Sequence, residues 1–234
     1  MKRYFFISLS LFISISSISQ ISNVTSDVGW APGSSPFGTG VGVTQYAMPP
    51  QANEVVGSRY IGGWVKGKVV YNDHEVNDPN FLFNYDKVGQ IILVTKDKVV
   101  INELITDNVK SFSLFGADVV VYEHFPNLYA TPFLQQLVKD SVSLYKGMTT
   151  KYKKADFRTN GIVESGHDYD EYSDKVVYYV QFPDKQLKEV QLRKKSYKEV
   201  FKGFPVVTDY LATNSDNTDS EGYLIALIKR INTK

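Results

Sequence analysis

The stretch from Tyr60 to Glu123 restricts this chain more than any other. It reads YIGGWVKGKVVY, then FLFNYDKVGQIILVTKDKVVINEL, then VKSFSLFGADVVVYE. Short runs rich in Val, Ile, Phe and Tyr are broken at regular intervals by Gly, Asn, Asp or Lys. Branched and aromatic side chains pack well on a pleated surface and the breakers reverse the chain, so the pattern predicts an antiparallel strand meander. Phe81, Phe83 and Tyr85 alternate with Leu82 and Asn84, giving one strand an aromatic face. Ile91–Val94 is a continuous apolar run and predicts a central strand covered on both sides. A long strand is expected over Tyr60–Tyr71, bent at Gly62–Gly63, and another over Val99–Ile105. A two-layer sandwich and a partly closed barrel would both bury these strands.

Composition agrees with a packed β protein. Of 234 residues, 43% are apolar, 22% charged and 14% aromatic, with 16 Tyr. A tyrosine ring packs while its hydroxyl reaches water, which suits half-buried strands. The absence of cysteine excludes disulfides, thiolate metal sites, cysteine nucleophiles and a lipidated cysteine. The net charge of +1 carries no basic excess of the kind a nucleic-acid partner calls for.

The first 58 residues differ in kind. Residues 1–19 read MKRYFFISLSLFISISSIS, with Lys2 and Arg3 ahead of a short apolar run and Ser17 and Ser19 before Gln20. That is the layout of a cleaved signal peptide, and the run is too short to span a ~30 Å hydrocarbon core. The expected mature form is exported, periplasmic or extracellular at the cell surface, with no transmembrane segment. Residues 20–58 are rich in Gly, Ser and Pro and are read as a flexible tether. Its GTGVG string (Gly38–Gly42) lacks the Lys-Ser/Thr ending of a phosphate loop.

Residues 59–234 are expected to form one domain. A hairpin turning at Asp140–Ser141, a polar loop over Ala155–Ser173 and a strand over Asp174–Phe182 follow the meander. In that strand Val176, Tyr178, Val180 and Phe182 share a face. Pro183–Lys185 turns into a return strand with Lys188, Val190 and Leu192 on one side. Residues 195–234 read as helices. Ser196–Glu199 and Thr218–Glu221 each match a capping box, Pro205 fits the first residue of a helix, and Leu224, Leu227, Ile228 and Ile231 make an apolar stripe. The expected fold class is α+β, mainly β: an antiparallel meander with two or three C-terminal helices packed on it.

The leader, the Gly/Pro tether, YIGGWVKGKVVY…FLFNYD, the hairpin VVYYVQFPDKQLKEVQLRKK and the terminal LIALIKRIN occur together. In this combination the chain resembles uncharacterised exported proteins of the Bacteroidota, periplasmic or at the cell surface. The resemblance implies an envelope location and supplies no catalytic residues.

No local motif marks catalysis. His74, His124 and His167 are far apart, with none of the close spacing of zinc ligands. Ser143–Lys146 and Ser215–Asn217 match two strings of serine β-lactamases, but the third, KTG, is missing. Asp86, Glu103, Glu123 and Asp118 lie near expected strand ends, where acids serve turns. Asp168, Asp170 and Asp174 are the candidates for a hard cation, although their spacing is not that of a calcium loop. Arg193, Lys194, Lys195 and Lys198 place cations at a helix start, where the dipole disfavours them; an anion is the expected neighbour, and the acidic loop 168–174 is the simplest one. Phe81, Phe83, Tyr85 and Tyr178 are the candidates for contact with a ligand or partner. No cofactor is called for. The reading is a non-enzymatic envelope protein that binds a partner protein or surface ligand. Its alternatives are a barrel carrying an apolar ligand and a hydrolase without a local signature.

Overall fold

The computed structural model describes residues 43–48 and 54–233; the expected signal peptide, and the tether apart from 43–48 and 54–58, lie outside the described residues. In chain order the strands are β1 (Val43–Gln45), β2 (Val55–Val56), β3 (Lys66–Tyr71), β4 (His74–Val76), β5 (Leu82–Asp86), β6 (Ile91–Thr95), β7 (Asn102–Leu104), β8 (Val109–Phe115), β9 (Val119–His124), β10 (Phe133–Val138), β11 (Ser143–Lys153), β12 (Arg158–Thr159), β13 (Glu164–Ser165), β14 (Asp170–Gln181) and β15 (Leu187–Val190). The helices are α1 (Lys194–Val200), α2 (Pro205–Thr213) and α3 (Glu221–Asn232). Strands hold 42% of the described residues and helices 17%, and the sheet is not closed into a barrel. Of the two arrangements left open by sequence, the structure is the layered, sandwich-like one.

A large sheet runs β15-β14-β11-β10-β9-β8-β3-β4, with β2 added parallel to the start of β14. A small sheet runs β1-β7-β6-β5. The register places one row of side chains straight across the large sheet: Val76, Val69, Phe112, Tyr122, Gln135, Lys146, Tyr178 and Val190. Residues directly opposite one another share a face, so this row lies on a single side. The small sheet covers its first half, packing Phe83, Tyr85, Ile92, Val94 and Leu104 against Val69, Phe112 and Tyr122. The three helices cover its second half, where Leu144, Val180 and Val190 meet Tyr197, Phe201, Leu224, Leu227 and Ile228. Between the two covers the row turns polar, at Gln135 and Lys146.

Local chemistry explains where the elements differ from expectation. The strand expected over Tyr60–Tyr71 is regular only from Lys66; Gly62 at φ +66° breaks it, leaving single bridges at Tyr60 and Val65 to Asp86 and Phe83. The strand expected over Val99–Ile105 shrinks to Asn102–Leu104. Asp97 accepts from the amides of Val99 and Val100, and Thr95 bonds both Lys98 and Val100, so the side chains hold this segment as a loop. Val43–Gln45 and Val55–Val56, inside the Gly/Ser/Pro-rich segment read as a tether, are strands on β7 and β14. The hairpin at Asp140–Ser141 forms as expected. The loop expected over Ala155–Ser173 instead carries the β12–β13 hairpin and the first residues of β14.

Two capping assignments shift. Ser196 lies inside α1, and its hydroxyl accepts from the Gln191 amide across the turn before the helix; Arg193 holds the cap position. Ser220, two residues beyond Thr218, caps α3 and accepts from the Tyr223 amide at 3.2 Å. Thr218 uses its carbonyl to hold the Tyr197 hydroxyl instead. Pro205 opens α2 and Asn214 closes it.

Tight backbone approach makes a simple test of the packing. A Cβ at Gly67 would sit 2.4 Å from the Ser113 carbonyl oxygen, whereas one at Gly63 meets nothing within 4 Å. Gly67→Ala is expected to lower the unfolding free energy by about 1–3 kcal/mol, and Gly63→Ala by less than about 0.5 kcal/mol. Urea denaturation of both variants checks this.

Candidate functional site

Two groups of charges stand out, one closed off within the fold and one lining an open cleft. The closed set lies where the small sheet meets β11 and β14. Asp86, at the end of β5, is fully buried. Its carboxylate accepts from Arg59 Nε at 2.7 Å, the Tyr46 hydroxyl at 2.8 Å, and the amides of Val88 and Gly89 at 2.9 and 3.0 Å. Burial, then the hydrogen bonds with Tyr60 and Asp86, push the Tyr46 phenol far up, so it stays protonated and serves as a donor. Lys87, also buried, reaches both oxygens of Asp174 on β14, at 2.9 and 2.7 Å. Thr150 on β11 donates to the same carboxylate at 2.5 Å. Gln90 adds a bond from its amide to the Met148 carbonyl at 3.2 Å. Further along β11, Lys146 pairs with Glu221 at 2.8 Å, and the Tyr178 hydroxyl donates to Glu221 at 2.7 Å. These groups stitch the two covers to the large sheet, and among the described residues no buried side-chain nitrogen or oxygen lacks a partner.

The open set lies at the far edge of the helical cover. Phe182 follows β14, Phe201 follows α1 and Phe204 precedes α2. Their rings form a cluster with centroids 6.0–6.4 Å apart. Phe201 is buried, while Phe182 and Phe204 are half-exposed. They floor a cleft of about 360 Å³ together with Val200, Pro183, Asp184, Gln186, Lys188 and Lys202. Lys188 pairs with Val180 in the register, so it stands on the helix-facing side of the sheet, and its ammonium lies over the Phe182 ring at 5.4 Å. No ion pair among the described residues engages Lys188 or Lys202. Asp184 accepts from the Gln186 amide and shapes the turn. An aromatic floor beneath two unpaired ammonium groups suits an apolar group that carries an anion.

The residues singled out from sequence fall in several places. Phe81, Phe83 and Tyr85 are 1–2% exposed and fill the core under the small sheet. Tyr178, on β14, is half-buried and reaches Glu221 on α3. Burial and the Glu221 hydrogen bond push its phenol well up. Arg193, Lys195 and Lys198 are exposed and Lys194 is half-exposed on α1. The acidic loop 168–174 does not lie on them: its Asp174 pairs with Lys87, 87 residues away. Asp170 is buried and accepts from the Tyr152 hydroxyl and the Ala155 amide, and Asp168 is exposed. Among the described residues no three metal-ligating side chains converge. Glu123 accepts from Lys139 and Tyr145, and Asp118 is an exposed turn residue. His124 stacks on Phe133 at 4.8 Å, and His167 lies tilted against Tyr169 at 4.9 Å.

Sequence reasoning missed the cleft because its two exposed rings are 22 residues apart. The usable signal was Lys188, a cation at an apolar-face position beside Val190 and Leu192. No family model matches the chain, and no curated protein and no solved structure matches it either. No helix among the described residues is long and apolar enough to cross a membrane.

Two measurements test the closed set. Asp86→Ala leaves the largely covered Arg59 without its counter-charge and is expected to cost about 3–5 kcal/mol of stability. Glu75→Ala, which removes the exposed partner of Lys68, should cost less than about 1 kcal/mol; thermal and urea unfolding compare them. The second concerns acid. Partial burial pushes the Asp174 carboxyl up, but hydrogen bonds from Lys87 and Thr150 and the Lys87 charge outweigh it, leaving it below its ordinary value. Glu221 behaves alike, with burial opposed by Lys146 and Tyr178. A depressed folded-state value adds stability that is present above the ordinary carboxylate range and lost as pH falls through the folded value, so the loss falls below about pH 4. In Lys87→Met the Asp174 titration, followed by carboxyl carbon NMR, is expected to move upward.

Proposed function

We propose that this protein is a non-enzymatic binding protein of the exported envelope class, and that it holds its ligand or partner in the Phe182–Phe204 cleft. The observation that carries the reading is the pairing of an open aromatic floor with Lys188 and Lys202, two ammonium groups without carboxylate partners among the described residues. Elsewhere the buried charges are matched within the fold. At the cleft Lys188 and Lys202 are exposed beside the rings, which suits an occupant that brings its own anion alongside an apolar group. The leader-like first 19 residues and the resemblance to exported Bacteroidota proteins support the location.

The test uses 4-phenylbutyrate as a probe and 4-phenylbutanol as its uncharged counterpart, with amide NMR shifts of the full chain as readout. Phenylbutyrate is expected to shift residues 182–188 and 200–204. Lys188→Glu and Lys202→Glu are each expected to weaken it by roughly fivefold, the worth of one exposed charge contact. Equal binding of the alcohol and the acid, or shifts scattered away from the cleft, would remove the reading.

A further inference from the structure

The occupant of the cleft can be sought on the chain itself. The β12–β13 hairpin carries at its tip Ile162, 93% exposed, and Val163, 60% exposed. Two adjacent aliphatic side chains in water form a small exposed apolar patch that a contact would cover. The tip is held in shape. Asn160 Oδ1 accepts from the amides of Ile162 and Val163 at 3.0 and 2.8 Å, and Gly161 supplies the positive φ of +87° that the turn requires. At the base, the Asp156 and Phe157 amides both donate to the His167 carbonyl, and the His167 amide donates to Asp156 Oδ1 at 3.0 Å. The apolar pair is therefore presented already ordered, which lowers the entropy cost of docking it.

Its chemistry complements the cleft. Glu164 directly follows the aliphatic pair and Arg158 flanks it on the opposite strand. The cleft offers an apolar floor, two ammonium groups at Lys188 and Lys202, and the Asp184 carboxylate. An aliphatic tip with an acid and a base beside it meets an aromatic floor with bases and an acid around it. The hairpin precedes the first residue of β14 and the cleft follows its last. Twelve strand residues separate them by roughly 36 Å, so the tip does not reach the cleft of its own chain.

We propose that the hairpin tip of one copy, Ile162–Val163 with Glu164, docks in the Phe182–Phe204 cleft of a second copy. This rests on the reading of the cleft as a site for an apolar group with an anion. Tip and cleft are different surfaces, so the contact is heterologous: each bound copy still presents one free tip and one free cleft, and assembly proceeds head to tail. The contact is small, so association is weak, with a dissociation constant on the order of 0.1–1 mM, and salt weakens it further.

Sedimentation velocity of the full chain across that concentration range is the test. The wild-type chain is expected to show a sedimentation coefficient that rises with concentration and falls back with added salt. Ile162→Asp alone, and Lys188→Glu with Lys202→Glu, are each expected to remain monomeric; far-UV circular dichroism checks that both fold. Mixed together, the two variants are expected to form a dimer and nothing larger, because one retains an intact cleft and the other an intact tip. Glu164→Lys added to the double glutamate variant is expected to restore its self-association. A wild-type chain that stays monomeric while 4-phenylbutyrate binds the cleft overturns self-docking and leaves the cleft reading standing. Absence of both overturns both. Self-association that survives both single-surface variants also overturns the proposal.

Discussion

One row of side chains governs the architecture: Val76, Val69, Phe112, Tyr122, Gln135, Lys146, Tyr178 and Val190, crossing the large sheet on a single face. A face of that width exposes more apolar surface than one helix layer or one small sheet conceals, and burying it is the main favourable term in folding. The chain solves this with two covers side by side. The meander folds back as a four-stranded sheet over one half, and the C-terminal helices settle on the other. Two covers on one face must meet, and where they meet the row becomes Gln135 and Lys146. A polar strip there prevents either cover from sliding along an unbroken greasy surface.

The charged stitching is best understood as consequence rather than cause of this arrangement. A buried ion pair gains little net stability over an apolar pair of equal volume, because desolvation offsets attraction. What Asp86 with Arg59 and Lys87 with Asp174 supply is position. Asp86 takes donors from three separate pieces of chain, around Tyr46, Arg59 and Gly89, and accepts them in one geometry. Lys87 then fixes the β5–β6 turn against β14. A shifted seating would leave at least one of these groups buried and unpaired, which is where the specificity comes from.

Much of this was legible in the residues and some was not, for definable reasons. Alternation and turn chemistry are local, so the hairpin at Asp140–Ser141, the start of α2 at Pro205 and the apolar stripe of α3 could be read directly. The caps could not be fixed to the residue, because Ser196 and Thr218 satisfy the same spacing rule as true caps and only the surrounding fold decides which hydroxyl faces an amide. The aromatic strand Phe81–Tyr85 was visible as a pattern, but a ring that lines a site and a ring that fills a core give the same pattern. Contacts across long separations, such as Lys87 with Asp174 or Phe182 with Phe204, leave no periodic trace.

That last distinction, between groups the fold uses and groups it leaves over, also separates scaffold from site. At the seam between the covers every charge has an internal partner, so a ligand there would have to displace an existing pair and meet its desolvation cost. At the outer border, past β15, the helical cover simply ends. Phe182 and Phe204 stay half-open because no further element among the described residues covers them, and Lys188 stands exposed on the helix-facing side of the sheet. The Lys188 ammonium lies over the Phe182 ring, so it is solvated and held by the ring but has no ion-pair partner among the described residues. In the proposed self-docking, the acid that meets it is Glu164 on β13, next to an exposed aliphatic pair and before the other end of β14, so a second copy delivers it.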